Sequence, residues 1–215
     1  MQSILWQTAR FLDSYRAATE DRAVVVPLPD GSVGLIVADG AGGRANGGIA
    51  ATRTVTLAET ALRNATPRDL ARPGFYETLV RTLDRAERDA PDSGETTFVV
   101  VVLSPQRIVG ASVGDSESWW VTSATDCHVL TENQHRRPYL GSGMTTPVAF
   151  AAPVPRAGTL LMATDGLFKY ADPESICRVV TADGLASALG LGELARGRTS
   201  GALYDDLAVL LAARV

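Results

Sequence analysis

The chain has 215 residues, of which 46% are apolar and 20% are charged, so it can bury a substantial core. Its formal net charge of −4 argues against partners such as nucleic acid or an anionic membrane surface, because both require clustered lysine and arginine. The longest apolar runs, such as residues 98–103, are too short to cross a bilayer, and the N-terminus lacks the pattern of a secretory signal. We therefore expect a single domain over residues 1–215 that is a cytoplasmic monomer.

The predicted elements alternate in blocks along the chain. Short β-branched and aliphatic runs predict strands at 23–28, 33–38, 97–103, 107–113, 118–122, 159–163 and 207–213. Helical spacing lies between them, at about 45–64, 73–88, 173–180 and 185–196. Pro73 and Pro173 suit the first turn of a helix, where a missing N–H costs nothing. Because strands follow strands and helices come in pairs, the order favours a largely antiparallel α+β fold over a doubly wound parallel sheet.

The two cysteines, Cys127 and Cys177, are far apart in sequence and lack the spacing of a metal site. We interpret them as reduced thiols that pack in the interior. His128 and His135 are the only histidines, and neither belongs to a cluster typical of metal ligands.

Three acidic positions stand at the ends of apolar runs. The runs 34–38 and 160–164 each stop at an Asp-Gly pair, Asp39-Gly40 and Asp165-Gly166, and Asp205 comes just before the run 207–211. A single Asp-Gly pair is ordinary turn chemistry, because aspartate bonds local backbone and glycine accepts a positive φ. If the last strand is antiparallel to the other two, however, all three carboxylates arrive at one sheet edge.

Carboxylates that lie so close together need a compensating cation, because like charges raise one another's pKa. Oxygen ligands without histidine or cysteine suit Mg²⁺ or Mn²⁺ better than zinc or copper. Two such cations about 3.5–4 Å apart are a recurring device for attack on phosphoesters. The pattern therefore indicates metal-assisted phosphoester hydrolysis.

Several motifs in order along the chain resemble the metal-dependent protein phosphatases of type 2C, in their compact bacterial form. The matching segments are Arg16 with Glu20-Asp21, Asp39-Gly40-Ala41-Gly42-Gly43, Thr96-Thr97, Gly114-Asp115, Asp165-Gly166 and Asp205-Asp206. The resemblance implies a four-layer α-β-β-α sandwich of two mostly antiparallel sheets flanked by helices. It also implies a Mn²⁺- or Mg²⁺-dependent serine/threonine phosphatase that acts on phosphoproteins, with a cognate protein kinase as a further partner.

The resemblance also implies a role for each matching residue. Asp39 would bridge two metals, and the Gly40 carbonyl would complete one coordination sphere. Asp165 and Asp205 would hold the other metal. The remaining roles fall to Glu20 and Asp21, which would bind metal-bound waters, to Arg16, which would grip the substrate phosphate, and to Asp115, which reaches a third metal in some relatives. The nucleophile would be the water that bridges the two metals.

The sequence departs from the family pattern at several positions. Ala41 replaces a histidine that can protonate the leaving group, and Asn133 or Gln134 replaces an aspartate that supports a third metal. Asp206 stands where asparagine is usual, and the short interval between Gly114 and Asp165 leaves little room for a substrate flap.

Five alternatives stay open on the sequence alone. Arg16 and Glu20 have the spacing of a helical surface pair, and Asp115 suits a turn. Gly40-Ala-Gly-Gly-Arg-Ala45, with Glu59 further on, resembles a dinucleotide-binding loop. A non-catalytic phosphatase-like module would carry the same motifs, and the absent acid at Ala41 favours it. The segment 136–143 is either an ordinary loop or a rim that contacts a phosphopeptide.

Overall fold

The computed structural model describes residues 5–15, 17–41, 46–196 and 201–215. The strands in these ranges are β1 Trp6–Asp13, β2 Arg22–Pro27, β3 Val33–Ala38, β4 Phe98–Leu103, β5 Arg107–Val113, β6 Glu117–Ser123, β7 Asp126–Val129, β8 Val148–Pro153, β9 Thr159–Ala163 and β10 Leu207–Arg214. The helices are α1 Gly47–Asn64, α2 Pro67–Leu70, α3 Pro73–Arg88, α4 Asp165–Phe168, α5 Pro173–Asp183 and α6 Ser187–Ala195, with a 3-10 turn at Gly184–Ala186.

The strands form two five-stranded antiparallel sheets that pack face to face. One sheet has the order β1-β10-β9-β6-β7 and the other has the order β2-β3-β4-β5-β8. Helices α5 and α6 cover the outer face of the first sheet, and α1 and α3 cover the outer face of the second. The predicted four-layer α-β-β-α sandwich is therefore confirmed.

The central strands are buried on both faces, which explains their continuous apolar runs. In β3, Leu35 and Val37 point between the sheets, whereas Ile36 and Ala38 point toward the helices. Strand β10 alternates in the same way between the inter-sheet core and the helix layer. A strand covered on both sides has no polar face to reveal its period.

None of the helices in the described ranges combines the length and apolar content needed to traverse a bilayer.

The sequence did not predict β1, β7 and β8, and these strands lie at sheet edges. Strand β1, for example, is mostly exposed or half-buried along its length. An edge strand pairs on one side only, so its sequence keeps polar residues that hide the strand pattern. The predicted strands 33–38, 107–113 and 159–163 and the predicted helix 73–88 have the bounds observed for β3, β5, β9 and α3.

Two alternatives left open by the sequence are wrong. A dinucleotide fold needs a parallel strand after the helix, but β3 lies between β2 and β4 and is antiparallel to both. Glu59 forms an ion pair with Arg63 on the exposed side of α1. Glu20 does not belong to a helix, because the described residues between β1 and β2 are turns and loops.

A buried carboxylate holds the long connection between β7 and β8. Asp84 of α3 accepts hydrogen bonds from the backbone N–H of Gly141 at 2.7 Å and of Gly143 at 3.1 Å. The hydroxyl of Thr145 donates to the same oxygen at 2.9 Å. Gly141 and Gly143 both have positive φ, which a residue with a side chain rarely adopts. These bonds therefore hold the connection against α3.

Replacing Asp84 by alanine should destabilise the fold by about 3 kcal/mol, because three donors around a buried site lose their acceptor. Urea unfolding monitored by tryptophan fluorescence measures this free energy. Asp89→Ala is the control: this carboxylate is exposed at the end of the same helix and pairs with Arg88, so its loss should destabilise the fold much less than the loss of Asp84. Equal losses for the two variants would contradict the assignment.

Candidate active site

One cavity of about 380 Å³ collects the acidic residues that end the strands. Its lining residues are Tyr15, Glu20, Asp39, Gly40, Ala41, Thr97, Arg137, Tyr139, Asp165, Lys169, Tyr204, Asp205 and Asp206. Five of the sequence-predicted site residues line it, and Asp21 lies buried beneath it. The structure thus brings together Glu20, Asp39, Gly40, Asp165 and Asp205.

The carboxylates come from both sheets and not from one sheet edge, which corrects the sequence-based expectation. Asp165 follows β9 and Asp205 precedes β10, and these two strands are antiparallel neighbours. Asp39 follows β3, which belongs to the other sheet. The cavity therefore opens at one end of the sandwich, where the two sheets meet.

Two threonines fix the backbone of Asp39. The Thr97 hydroxyl accepts a hydrogen bond from the Asp39 N–H at 3.0 Å, and the Thr96 hydroxyl donates to the Asp39 carbonyl at 2.7 Å. The Thr97 hydroxyl also contacts the Ser116 hydroxyl at 2.7 Å. The Thr96-Thr97 motif, for which sequence reasoning gave no role, holds Asp39 in place across the junction of β3 and β4.

The glycines of the two Asp-Gly pairs serve close packing. Neither has a positive φ, so the turn explanation does not apply to them. A Cβ on Gly40 would lie 2.5 Å from the backbone of Gly47 at the start of α1. A Cβ on Gly166 would collide with the Asp206 carbonyl. The first turn of α4 can therefore lie directly against the entry to β10, which places Asp165 beside Asp205.

Asp206 ties the segment between β1 and β2 to the start of β10. One of its carboxylate oxygens accepts the Tyr15 N–H at 2.9 Å, and the other accepts the Glu20 N–H at 2.7 Å. Arg16 falls between these two anchors but lies outside the described residues, as do Gly42 and Gly43. An asparagine, which is usual at this position in the family, has only one oxygen to accept with. The aspartate here is therefore suited to holding both N–H groups.

Burial and mutual repulsion dominate the electrostatics of the cavity. Burial, and then the charges of Asp21 and Asp165, raise the pKa of Asp39 well above its ordinary value. Burial also raises the pKa of Asp21 to about 7, although the Thr164 hydroxyl opposes part of the shift. Among the described residues, the Thr164 hydroxyl and Asp39 approach the oxygens of Asp21, but no group forms a hydrogen bond of normal geometry with them. In the part of the chain that the structure describes, no positively charged group is among the neighbours that shift the pKa of Asp21.

Lys169 is a basic residue of the cavity that the sequence analysis did not single out. Its ammonium group forms an ion pair with Asp165, one helical turn before it, and lies 3.6 Å from Asp205. Burial opposes the charged ammonium more than any single contact favours it, but the hydrogen bond to Asp165 and the negative charges of Asp165, Asp205 and Asp115 together raise the pKa of Lys169. The sequence offered one signal, because Lys169 is the sole lysine of the chain.

The donor set suits a hard divalent cation, although it is not a ready-made cage. Carboxylates and the Gly40 carbonyl are the ligands that Mg²⁺ and Mn²⁺ prefer, and Asp21 adds a buried carboxylate whose oxygens have no hydrogen bond of normal geometry within the described ranges. Among the described residues, no three His, Cys, Asp or Glu side chains form a preassembled metal-ligand group. The cavity therefore fits such cations by its chemistry, and the Lys169 ammonium compensates part of the negative charge of Asp165 and Asp205.

Asp115 lies outside the cavity lining, and its charge acts on several groups of the site. The Tyr139 hydroxyl lies 3.4 Å from its carboxylate, and the charge of Asp115 contributes to the raised pKa of Asp39. The Gln134 side chain donates to the Ser116 carbonyl at 3.0 Å, whereas Asn133 is exposed and contacts Glu132. Of the two candidates for the missing aspartate, Gln134 therefore faces the turn that carries Asp115.

The segment 136–143 forms part of the cavity rim. Arg137 and Tyr139 line the cavity, and the Arg137 guanidinium lies 4.9 Å from the centre of the Tyr139 ring. A cation held over an aromatic face keeps its charge available at the cavity mouth. The position of this segment therefore agrees with the interpretation of it as a rim. Just before it, the backbone carbonyl of His135 accepts a hydrogen bond from the Gly114 N–H at 3.2 Å.

Comparisons with known proteins agree with this architecture. The family model described as Protein phosphatase 2C matches residues 16–189. The structure is similar to a bacterial serine phosphatase (TM-score 0.83, 17% identity, 96% of this chain and 97% of that chain) and to the serine/threonine phosphatase Stp1 from Staphylococcus aureus (0.82, 18%, 98% and 95%). It is also similar to the catalytic domain of the serine threonine protein phosphatase PstP in complex with two manganese ions (0.81, 22%, 98% and 99%). No curated protein matches the sequence significantly.

The metal-free protein should lose stability as pH rises from 5 to 8. Asp21 and Asp39 have folded-state pKa values above the 3.8 of the unfolded chain, so between pH 4 and about 7 the folded state binds more protons than the unfolded state. Their contribution is complete below pH 3.8 and is lost as pH increases toward the raised values. Thermal melts in EDTA should show a decreasing midpoint over this range.

Two controls test the origin of this slope. Asp39→Asn cannot titrate and should give a shallower decrease, and saturating Mg²⁺ should flatten the decrease because the cation favours the ionised carboxylates. The exposed carboxyls with lowered pKa, such as Asp69 and Asp172, change protonation below this window. A midpoint in EDTA that increases with pH would contradict the assignment.

Two substitutions of Asp206 should lower the free energy of unfolding by different amounts. Asp206→Asn keeps one acceptor for the two N–H groups and should cost about 1 kcal/mol, whereas Asp206→Ala loses both acceptors and should cost about 2–3 kcal/mol. Denaturant unfolding of the metal-free protein measures both values. If the asparagine variant were as destabilised as the alanine variant, or neither were, the two-anchor arrangement would be wrong.

Proposed function

Since this chain belongs to the protein phosphatase 2C family, we propose that it is a metal-dependent serine/threonine phosphoprotein phosphatase that hydrolyses phosphomonoesters by direct attack of water. The observation that carries the proposal is the meeting of Asp39, Asp165 and Asp205 in one cavity, delivered by three different strand ends. Their repulsion makes the cavity a strong site for hard cations.

We infer that two divalent cations, Mn²⁺ or Mg²⁺, bind in this cavity. Asp39 would bridge them, with the Gly40 carbonyl as a further ligand of one and with Asp165 and Asp205 as ligands of the other. The similar PstP catalytic domain contains two manganese ions, which supports this stoichiometry. When bound, such a pair supplies a strong water-derived nucleophile near neutral pH and neutralises the charge that develops on the phosphoryl group.

The chain's own side chains orient the reaction. Glu20 lines the cavity and Asp21 lies buried beneath it, and their carboxylates would orient water around the cations. Arg16 would bind the substrate phosphate, for which its planar guanidinium is suited. Asp206 positions the segment that carries Arg16, because it holds the backbone at Tyr15 and Glu20. Thr96 and Thr97 hold the backbone of Asp39.

The leaving alcohol takes its proton from solvent in this proposal. Ala41 lines the cavity where a histidine can serve as the acid in relatives, and its methyl group has no proton to donate. A general acid typically accelerates a reaction about 10²–10⁴-fold. Because position 41 supplies no such acid, the rate should depend strongly on the acidity of the leaving group. Phosphoserine and phosphothreonine proteins are the proposed substrates, and a cognate kinase is the proposed partner. The chain would act as a single cytoplasmic domain and as a monomer.

A second function has specific support. Ala41 provides no acid, and Lys169 occupies part of the acidic cluster, so a weakly active or inactive phosphatase-like module would carry the same features. Such a module would bind a phosphoprotein in the cavity and regulate it without hydrolysis. Turnover separates the two functions.

The purified chain should hydrolyse para-nitrophenyl phosphate and phosphoserine peptides when Mn²⁺ is present and should stop in EDTA. Asp39→Asn and Asp165→Asn should each lower kcat by more than about 100-fold, because a metal ligand contributes more than the outer groups that orient it. Glu59→Gln, which removes a carboxylate from the exposed side of α1, is the matched control and should keep full activity.

Two results would reject catalysis. One is the absence of Mn²⁺-dependent turnover by the unmodified chain together with retained binding of a phosphopeptide, which would favour the binding module. The other is undiminished turnover in both aspartate variants, which would assign the activity to a different site or to a contaminant.

A further inference from the structure

The pair formed by Asp165 and Asp205 already has a counter-ion that belongs to the chain. The Lys169 ammonium forms an ion pair with Asp165 and lies 3.6 Å from Asp205, inside the cavity that both carboxylates line. The Asp165 side chain is 11% exposed, so its charge is poorly screened by solvent. A positive charge at this point offsets part of the repulsion between the two carboxylates, as a divalent cation would.

The backbone around Lys169 is held in place on both sides. The Lys169 N–H donates to the Asp165 carbonyl at 2.9 Å, which continues the first turn of α4. The Phe168 ring packs against the Trp119 ring with 4.8 Å between ring centres, and the Tyr170 ring packs against the Tyr204 ring with 5.3 Å between ring centres. The position of residue 169 relative to the cavity is therefore set by the fold.

The side chain itself is free to leave the carboxylates. It is 48% exposed, and a lysine carries its charge at the end of a flexible four-carbon stem. A protonated amine has no lone pair to offer a metal, and its charge repels any cation on the same oxygens. Lysine and a divalent cation therefore exclude each other at this carboxylate pair.

We propose that Lys169 is a resident counter-ion that competes with a divalent cation for Asp165 and Asp205, so that the second of the two proposed cations binds only when the lysine side chain swings out. This inference rests on the proposed metal site and adds an order of events to it. The cation held mainly by Asp39 and Gly40 binds first and tightly. The cation at Asp165 and Asp205 binds second and weakly, which makes the loaded state sensitive to the concentration of the free metal.

Calorimetric titration with Mn²⁺ alone tests the competition in the full chain after removal of metal with EDTA. The unmodified protein should show one tight and one weak binding step. Lys169→Met keeps the length of the side chain without its charge and should tighten the weak step by at least about tenfold, because a neighbouring unit charge acts strongly at this distance. Lys169→Arg keeps the charge and should leave the weak step weak.

Arg178→Met is the matched control for loss of a basic residue. Arg178 forms an exposed i,i+4 ion pair with Glu174 on α5, away from the cavity lining. Its loss should leave both binding steps within about twofold of the unmodified protein, since exposed pairs are well screened. A general effect of net charge on Mn²⁺ affinity would appear in this variant as well.

The melting temperature provides a second readout, which does not require a measured affinity for Mn²⁺. Without metal, Lys169→Met leaves two close carboxylates without their counter-ion, so its melting temperature in EDTA should be lower than that of the unmodified protein. In saturating Mn²⁺ the difference should vanish or reverse. A variant that simply folded poorly would be destabilised equally in both conditions, and that result would count against the proposal.

Amine labelling follows the lysine side chain directly. Because Lys169 is the sole lysine, its acetylation can be followed by mass spectrometry of a single internal peptide, separate from the terminal amine. Mn²⁺ should accelerate this acetylation several-fold, since an ion-paired ammonium reacts more slowly than a released one. Labelling that Mn²⁺ leaves unchanged or slows would overturn the proposal.

The outcomes separate this inference from the proposed function. Two Mn²⁺ ions bound with equal constants in the unmodified protein and in Lys169→Met would overturn the competition and leave the phosphatase proposal intact. Absence of Mn²⁺ binding in every variant would overturn both. Binding that appears only in Lys169→Met would support the competition and favour the non-catalytic function of the unmodified chain.

Discussion

The repulsion among carboxylates at one end of the sandwich is the constraint on which the rest of the site depends. Asp39, Asp165 and Asp205 are carried there by strands that fold for apolar reasons, since the strands behind them are buried on both faces. The raised pKa of Asp39, caused first by burial and then by its acidic neighbours, expresses the cost of this arrangement. Positive charge, supplied by a proton, a lysine or a metal, offsets that cost.

Much of the surrounding structure serves to hold these charges in place. Thr96 and Thr97 bind the backbone of Asp39, and the contact of Gly166 with Asp206 brings α4 against β10. Asp206 then ties the segment between β1 and β2 to the same strand. Each of these contacts joins residues that are far apart in sequence. The backbone at these residues is therefore held by contacts across the fold, whereas the Lys169 ammonium stands at the end of a flexible side chain that is 48% exposed.

Several side chains particular to this chain change the charge in and around the cavity. Asp206 in place of asparagine provides two acceptors for two N–H groups, so the extra charge has a structural use. Gln134 spans the turn at Ser116, where a carboxylate would have added another negative charge. Lys169 brings a compensating charge into the cluster. Together these differences describe a cavity whose charge balance is adjusted by its own side chains.

The sequence by itself determined the central strands, the two long helices α1 and α3, and the set of acidic residues, because long apolar runs and ordered motifs are local signals. It did not reveal the edge strands β1, β7 and β8, whose half-exposed residues carry a mixed pattern. Only the tertiary structure decided that the carboxylates come from two sheets, that Asp206 binds Tyr15 and Glu20, and that Lys169 lies between Asp165 and Asp205. The physical reason is that charge–charge and backbone contacts between distant segments depend on how the sheets stack, which no local pattern encodes.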